Sequence, residues 1–164
     1  MLLADALRAL PLLERYEGTV VDVGSGGGSP GIPLAASLPE REVTLLEAER
    51  RKCDFLRRWA PPNAQVVRGR AEEQQTERWG VALAKALAQP PVAAELCLPL
   101  VHSGGAAILW LGERADLEQL AAASEQLGGG PPELHEGLAV LPKIAPTPPG
   151  FPRRTGVAKR RPLA

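Results

Sequence analysis

The organisation of the chain is decided by a twelve-residue stretch, Val20 to Gly31, which reads VVDVGSGGGSPG. Three of its first four residues are valines, and β-branched residues favour an extended strand, which we predict over Thr19–Val23. Glycines follow at positions 24, 26, 27 and 28. Glycine is the residue that lets a backbone turn sharply and lie against a ligand with no Cβ between them. The stretch therefore predicts a strand, then a ligand-binding loop, then a helix.

Strand and helix patterns alternate along the rest of the chain. Apolar spacing predicts an N-terminal helix over 2–14 and further helices over 32–38, 50–59, 91–100 and 113–127. Strands are predicted over 42–46, 65–67, 81–83, 106–111 and 138–144. This alternation is typical of an α/β fold, with a mostly parallel central sheet and helices on both faces. In such a sheet the ligand lies at the carboxyl ends of the strands, beside the first strand.

An acidic residue, Glu47, ends the second predicted strand about twenty residues after the loop. A carboxylate in that position accepts hydrogen bonds from the two hydroxyls of a ribose. A glycine-rich loop alone is a weak signal. The loop together with Glu47 predicts a ligand that contains a nucleoside.

Two nucleoside cofactors fit such a loop, and the glycine spacing favours one of them. A dinucleotide fingerprint needs G-x-G-x-x-G directly after the strand, but counted from Gly24 its third glycine position is Ser29. Counted from Gly26 the pattern reaches Gly31, with two residues between strand and motif. The G-x-G-x-G loop that binds S-adenosylmethionine fits directly. We therefore expect S-adenosylmethionine, with a nicotinamide cofactor or a glycine turn without ligand as the alternatives.

Length and composition indicate one domain without membrane spans. The chain has 164 residues, of which 45% are hydrophobic and 23% charged, close to the globular average. No apolar run approaches the roughly 20 residues of a membrane span, and the N-terminus lacks a secretion signal. Two cysteines do not make a disulfide framework, so we expect a cytoplasmic protein. No His or Cys cluster has metal-ligand spacing, and we expect no metal site. We also expect a monomer.

The net charge of zero hides a strong asymmetry along the chain. The 28 residues from Gly137 to Ala164 hold six of the 19 basic residues and no acidic one, so residues 1–136 hold 13 basic and 19 acidic residues. We divide the chain into a domain over 1–145 and a basic C-terminal segment over 146–164, packed on the domain or extending from it. Aromatic residues make up only 4% of the chain, and we expect Trp59, Trp79 and Trp110 in the core or at its edge.

Four motifs in order resemble one family. Asp22–Ala35 (DVGSGGGSPGIPLA), Thr44–Leu56 (TLLEAERRKCDFL), Arg70–Glu72 and Phe151–Leu163 (FPRRTGVAKRRPL) are similar to the signatures of the bacterial 16S ribosomal RNA guanine-N7 methyltransferases, also called glucose-inhibited division protein B. The resemblance covers nearly the whole chain. It implies the class I (Rossmann-like) S-adenosylmethionine-dependent methyltransferase fold and methyl transfer to a guanine of 16S rRNA in the small ribosomal subunit or its precursor.

The resemblance also implies which residues bind which partner. Gly24 and Ser29 would line the methionine end of the cofactor, Glu47 would hold the ribose, and Ala71 and Glu72 the adenine edge. The full set of expected cofactor-binding residues is Gly24, Ser25, Gly26, Gly28, Ser29, Glu47, Ala48, Ala71, Glu72 and Lys85. Phosphate contacts through basic side chains supply most nucleic-acid affinity, and the RNA-binding residues are expected in the tail: Arg153, Arg154, Lys159, Arg160 and Arg161.

Three positions depart from the family pattern, and one of them is Gly80, which replaces an expected aspartate. Lys85 stands where the family usually has an arginine, and lysine lacks the planar bidentate fork of that side chain. Leu111 stands where the family usually has a lysine. These departures keep open a second function from another class, a catalytically weak RNA-binding protein that still binds the cofactor. We assign no catalytic residue, because guanine N7 carries a lone pair and needs orientation rather than a general base.

Overall fold

The computed structural model describes residues 2–164 and contains a single seven-stranded sheet. The strands are β1 (Val20–Val23), β2 (Val43–Glu47), β3 (Ala64–Arg68), β4 (Trp79–Ala84), β5 (Val101–Trp110), β6 (Glu133–His135) and β7 (Leu138–Pro142). They lie in the order β3-β2-β1-β4-β5-β7-β6. Strands β1 to β5 are parallel, and β7 pairs antiparallel with β5 and β6. The order reverses direction at β1, so the strand that precedes the glycine loop lies at the switch point of the sheet.

Helices cover both faces of this sheet. They are α1 (Leu2–Leu7), α2 (Leu10–Leu13), α3 (Gly31–Ser37), α4 (Arg50–Trp59), α5 (Pro90–Cys97), α6 (Leu117–Gln126) and α7 (Val157–Arg160), with 3₁₀ turns at Ala71–Glu73 and Leu98–Leu100. Residues of β1, β2 and β4 are buried throughout, as a parallel sheet between two helical layers requires.

Two apolar clusters, one on each side of the sheet, form the core. One packs α5 and α6 against alternate sheet residues such as Val21 and Ala82, and the other packs α2, α3 and α4 against their neighbours, such as Val20 and Val81. Side chains alternate across a strand, so each cluster takes every second residue. The predicted α/β architecture is confirmed.

The prediction of one helix over 2–14 is wrong in one respect, since the structure has two short helices in this region. The α2 helix begins at Leu10 with Pro11 in its first turn. In a continuous helix the ring of Pro11 would clash with the carbonyl of Leu7, four residues earlier, so α1 ends at Leu7. The helix predicted from residue 113 begins only at Leu117, because the Asp116 side chain caps it by accepting a hydrogen bond from the Gln119 backbone N–H at 3.0 Å.

Two elements were missed by the sequence patterns. Strand β6 forms a hairpin with β7 through Glu136 and Gly137, which both have positive φ, at 47° and 86°. Two-residue hairpin turns of type I′ require positive φ at both central residues, and their geometry matches the twist of the two flanking strands. The other missed element, α7, has only four residues and begins after Gly156.

The sequence predicts that all three tryptophans lie in the core or at its edge. The structure confirms this for two of them. Trp79 is buried and donates an indole hydrogen bond to the Thr44 hydroxyl at 3.2 Å. Trp110 is half-buried. Trp59, however, is 60% exposed at the end of α4, so the prediction is wrong for this residue.

No helix among residues 2–164 has the length and apolar character that crossing a membrane requires. Within the same residues, no three His, Cys, Asp or Glu side chains come together in a group suited to a metal ion.

Candidate cofactor site

The glycine loop leaves β1 and is tied to the end of the neighbouring strand. The backbone N–H groups of Gly24 and Ser25 both donate to the carbonyl of Leu46, at 2.9 and 3.0 Å. Gly28 has a φ of 95°, which strongly favours glycine, and a Cβ there would lie 2.5 Å from the Ile32 side chain. The loop is thus held on one side by β2 and on the other by the start of α3.

A buried carboxyl group fixes the helix that follows the loop. Asp22 accepts a hydrogen bond from the Gly31 backbone N–H at 3.0 Å, and a Cβ on Gly31 would lie only 2.4 Å from that oxygen. Burial raises the pKa of Asp22 to about 7. The close approach explains why position 31 requires a glycine in this chain, and Asp22 supports the loop without lining the cavity in front of it.

Glu47 is presented to the loop with both oxygens oriented by the backbone. Its Oε1 accepts from the Gly26 N–H at 2.9 Å, and its Oε2 accepts from the Glu49 N–H at 2.8 Å. The side chain is only 7% exposed. Each carboxylate oxygen accepts more than one hydrogen bond, so both remain able to accept from the hydroxyls of a ribose.

A cavity of about 570 Å³ lies in front of the loop, within the size range of small-molecule sites. It lies at the carboxyl ends of β1, β2 and β4, where the sheet order reverses. Nine of the ten predicted cofactor residues line it, namely Gly24, Ser25, Gly26, Ser29, Glu47, Ala48, Ala71, Glu72 and Lys85. The tenth, Gly28, does not line the cavity and is buried within the loop.

Sequence patterns did not find the opposite wall of the cavity. Apolar side chains that follow β4 or belong to α5 form part of it, namely Leu87, Val92 and Leu96. Ala86 lies in the same wall with a φ of 53°, a left-handed conformation that non-glycine residues rarely adopt and that recurs at functional sites.

The C-terminal segment supplies the rest of this wall. Gly156, Ala158 and Lys159 line the cavity, and the Gly156 N–H donates to Oε1 of Glu72 at 3.2 Å. Lys159 is predicted to bind RNA, and the structure places this exposed residue in the lining of the cavity. Residues about 85 positions apart in sequence meet here, which no local pattern indicates.

An ion pair between a buried glutamate and a partly exposed arginine anchors this segment to α5. Glu95, buried in α5, accepts from the Arg153 Nε at 2.7 Å and from the Arg153 backbone N–H at 3.2 Å. The Arg153 guanidinium also donates to the Arg161 carbonyl at 2.8 Å. Arg153 therefore has a structural partner within the fold, whereas the side chains of the other tail arginines are exposed: Arg154, Arg160 and Arg161.

Lys85 connects the cavity with the N-terminal helix. Its Nζ lies 2.8 Å from an Asp5 carboxylate oxygen. The Lys85 ammonium lowers the pKa of Asp5, and Arg8, at 2.7 Å, adds to the effect. The cation at the position of the family arginine is thus held by a carboxylate from α1.

The sequence of the chain matches one family of known proteins. The family model for rRNA small subunit methyltransferase G matches residues 1–128. A relative with that name from Synechococcus sp. (strain JA-2-3B'a(2-13)) is 38% identical, over 97% of this chain and 72% of its own length. Another, from Rubrobacter xylanophilus, is 38% identical over 91% of this chain and 66% of its own length.

Solved structures support the fold. A SAM-dependent O-methyltransferase from Thermotoga maritima superposes with a TM-score of 0.69 at 14% identity, over 88% of this chain and 66% of the other. A T. thermophilus 16S rRNA N2 methyltransferase in complex with AdoMet and guanosine superposes with a TM-score of 0.67 at 17% identity, over 90% and 40%. The fold is that of S-adenosylmethionine-dependent methyltransferases, and the chain belongs to the rRNA small subunit methyltransferase G family.

Proposed function

We propose that this chain transfers the methyl group of S-adenosylmethionine to N7 of a guanine in 16S rRNA. The proposed reaction follows from membership of the family. The proposed binding site rests on Glu47, which lies at the end of β2 in front of the glycine loop with both carboxylate oxygens held by backbone N–H groups. The chain spans 72% of the length of the Synechococcus relative.

The residues present fit the cofactor. We assign the ribose to Glu47, the methionine end to Gly24 and Ser29, and the adenine edge to Ala71 and Glu72, all of which line the cavity. When bound, S-adenosylmethionine supplies an electrophilic methyl group. Glu72 lines the cavity, and its Oε1 accepts a hydrogen bond from the Gly156 N–H.

Methyl transfer to guanine N7 requires the base to be oriented, and it requires no proton transfer before the attack. Guanine N7 attacks with its in-plane lone pair, so the protein's task is to hold the base in line with the methyl group. The cavity walls formed by the residues after β4 and by the C-terminal segment restrict how a base enters. A reaction that depends on orientation is consistent with a site whose described residues form walls and offer hydrogen-bond acceptors to the ligand.

The test of the reaction is label transfer. Small ribosomal subunits that lack the modification, incubated with the protein and methyl-labelled S-adenosylmethionine, should acquire label at N7 of one guanine. Absence of transfer to subunits and to their precursors, with cofactor binding intact, would contradict the proposal.

The test of the site compares two acids at opposite ends of β2. Glu47→Gln should weaken S-adenosylmethionine binding at least tenfold, because an amide nitrogen cannot accept the hydrogen bonds that the carboxylate accepts. Glu42→Gln is the matched control, since Glu42 is exposed directly before β2 and does not line the cavity. Calorimetry should give an unchanged affinity for this control. Equal affinities for both variants would overturn the assignment.

The second candidate function is a cofactor-binding RNA-binding protein with weak activity. The observation that favours it is the Lys85–Asp5 contact, which directs the cation toward α1. If Lys85→Arg raises turnover while leaving cofactor affinity unchanged, this second function is the better description of the native chain.

We further propose 16S rRNA in the small subunit or its precursor as the partner, a monomeric state and a cytoplasmic location. Sedimentation of the free protein and its recovery with small-subunit precursors from fractionated cells would test these three proposals together.

A further inference from the structure

Helix α4 presents two large aromatic side chains to solvent. Phe55 is 47% exposed and Trp59 is 60% exposed, and their ring centroids lie 6.4 Å apart. The opposite face of the same helix is buried through Cys53 and Leu56. The helix therefore contributes to the core with one face and leaves an aromatic pair on the other, which is typical of an interaction site.

Two arginines share the exposed face with the aromatic pair. Arg51 lies four residues before Phe55 and Arg58 three residues after it, spacings that place side chains next to one another on a helix. Both arginines are exposed. We call Arg51, Phe55, Arg58 and Trp59 the aromatic–arginine stripe.

The charges of the stripe are not neutralised by neighbouring acids. Of the three other basic residues of α4, Arg50 is exposed and two are paired, Lys52 with Glu49 at 3.3 Å and Arg57 with Asp54 at 3.4 Å. Within residues 2–164, no carboxylate lies within ion-pair distance of Arg51 or Arg58. The stripe thus combines stacking surfaces with two positive charges that are available to an anion.

Helix α4 connects the stripe with the cofactor cavity. Lys52, in the first turn of α4, lines that cavity. Phe55 and Trp59 lie three and seven residues further along, about 4.5 and 10 Å along the helix axis at 1.5 Å per residue. The stripe therefore begins about one helical turn from the cavity, close enough for one RNA strand to contact both.

We propose that the aromatic–arginine stripe binds the RNA substrate beside the target guanine, with an unpaired base stacked on Trp59 and phosphates bound by Arg51 and Arg58. Aromatic faces interleaved with basic side chains are the usual means of holding single-stranded nucleic acid. This inference rests on the proposed function, since it takes rRNA as the substrate.

A polyanion fits this surface better than a second copy of the chain. A symmetric contact between two copies would bring the same arginines together, and like charges oppose such pairing. A lipid surface is disfavoured because two aromatic side chains on a ten-residue helix offer little apolar area for insertion.

The test uses an rRNA fragment that contains the methylated loop, with affinity measured over a salt series. Trp59→Ala should weaken binding about tenfold, the size expected when one base loses its stacking partner, without changing the salt dependence. Arg51→Ala with Arg58→Ala should lower the slope of log K against log salt by about 1.4, at about 0.7 per phosphate on a single strand.

Controls separate stacking from folding. Trp59→Phe should restore most of the affinity, because phenylalanine also stacks. Leu134→Ala is the matched control, since Leu134 is 54% exposed on strand β6. RNA should quench the fluorescence of the wild type more than that of Trp59→Phe, a readout that reports on stacking even where an alanine variant folds poorly. Cofactor affinity should be equal in all variants.

The outcomes distinguish the stripe from the proposed function. Label transfer by the wild type, with RNA affinity and quenching unchanged in Trp59→Ala and Trp59→Phe, overturns the stripe and leaves the proposed function standing. Loss of RNA affinity in Trp59→Ala supports the stripe even where the wild type transfers no label. A change in sedimentation, or in binding to anionic vesicles, without a change in RNA affinity would assign the surface to another partner and overturn the inference.

Discussion

Helix α4 and the C-terminal segment each hold five basic residues within ten positions, yet the two regions use that charge differently. On α4 the basic side chains lie on the surface, and the two that are paired form exposed contacts with acids three residues away. In the C-terminal segment, Arg153 is bound to buried Glu95 and Lys159 lines the cofactor cavity. A basic run in the sequence therefore indicates charge density but not where the charges lie in the fold.

The difference extends to the whole basic region from Gly137 onward. Lys143 belongs to it by sequence, but it is buried in the fold and its Nζ donates to the carbonyls of Leu98 and Val101, both at 2.7 Å. Two of the six basic residues of this region therefore stabilise the fold itself, through contacts within the chain. The charge left for RNA is smaller than the sequence suggests.

The largest expected effect comes from Arg153. Arg153→Ala should lower the free energy of unfolding by about 3 kcal/mol, because it leaves the Glu95 carboxylate buried without its partner. It should also weaken cofactor binding, since Arg153 anchors the segment that forms one cavity wall. Urea unfolding followed by circular dichroism measures the first effect, and calorimetry the second. Arg154→Ala is the control, since an exposed side chain should cost under about 0.5 kcal/mol; equal losses for both variants would contradict the distinction.

Lys143→Met should cost about 2 kcal/mol at neutral pH, because buried carbonyls lose their donor. Burial lowers the pKa of Lys143 to about 8, from 10.5. The unfolded chain therefore binds more protons between about pH 8 and 10.5, and this lysine makes stability rise with pH across that window. The methionine variant should lack that contribution. Urea midpoints at several pH values for both proteins check this, and parallel pH profiles would rule it out.

The smallest expected effect is on RNA affinity. Replacing Arg154, Arg160 and Arg161 by Gln should weaken rRNA binding about tenfold and lower the salt slope by about 2, at about 0.7 for each phosphate of a single strand. Cofactor affinity should stay unchanged, because none of the three side chains lines the cavity. Filter binding at several salt concentrations makes the measurement. An unchanged slope would mean that these arginines are simply solvated.

Much of the cofactor site was predictable because its signals are local. The strand, the glycine loop and the acid at the end of the next strand occupy 28 consecutive residues, Val20 to Glu47, and nine of the ten predicted cofactor residues line the cavity. Helix α4 was predicted with its observed ends, since its apolar spacing and Pro61 mark them. The exposure of Trp59 was not predictable, because burial depends on whether another element covers that face.

By itself, the sequence determined the α/β class, the glycine loop with its acidic partner and the family, because each depends on local periodicity or on a short motif. Only the tertiary structure decided that the C-terminal segment lines the candidate cofactor cavity. It also decided that Arg153 and Lys143 serve the fold, and that α4 leaves an aromatic–arginine stripe exposed. The physical reason is that burial and ion pairing join residues distant in the chain: Glu95 meets Arg153 across 58 positions and Glu72 meets Gly156 across 84.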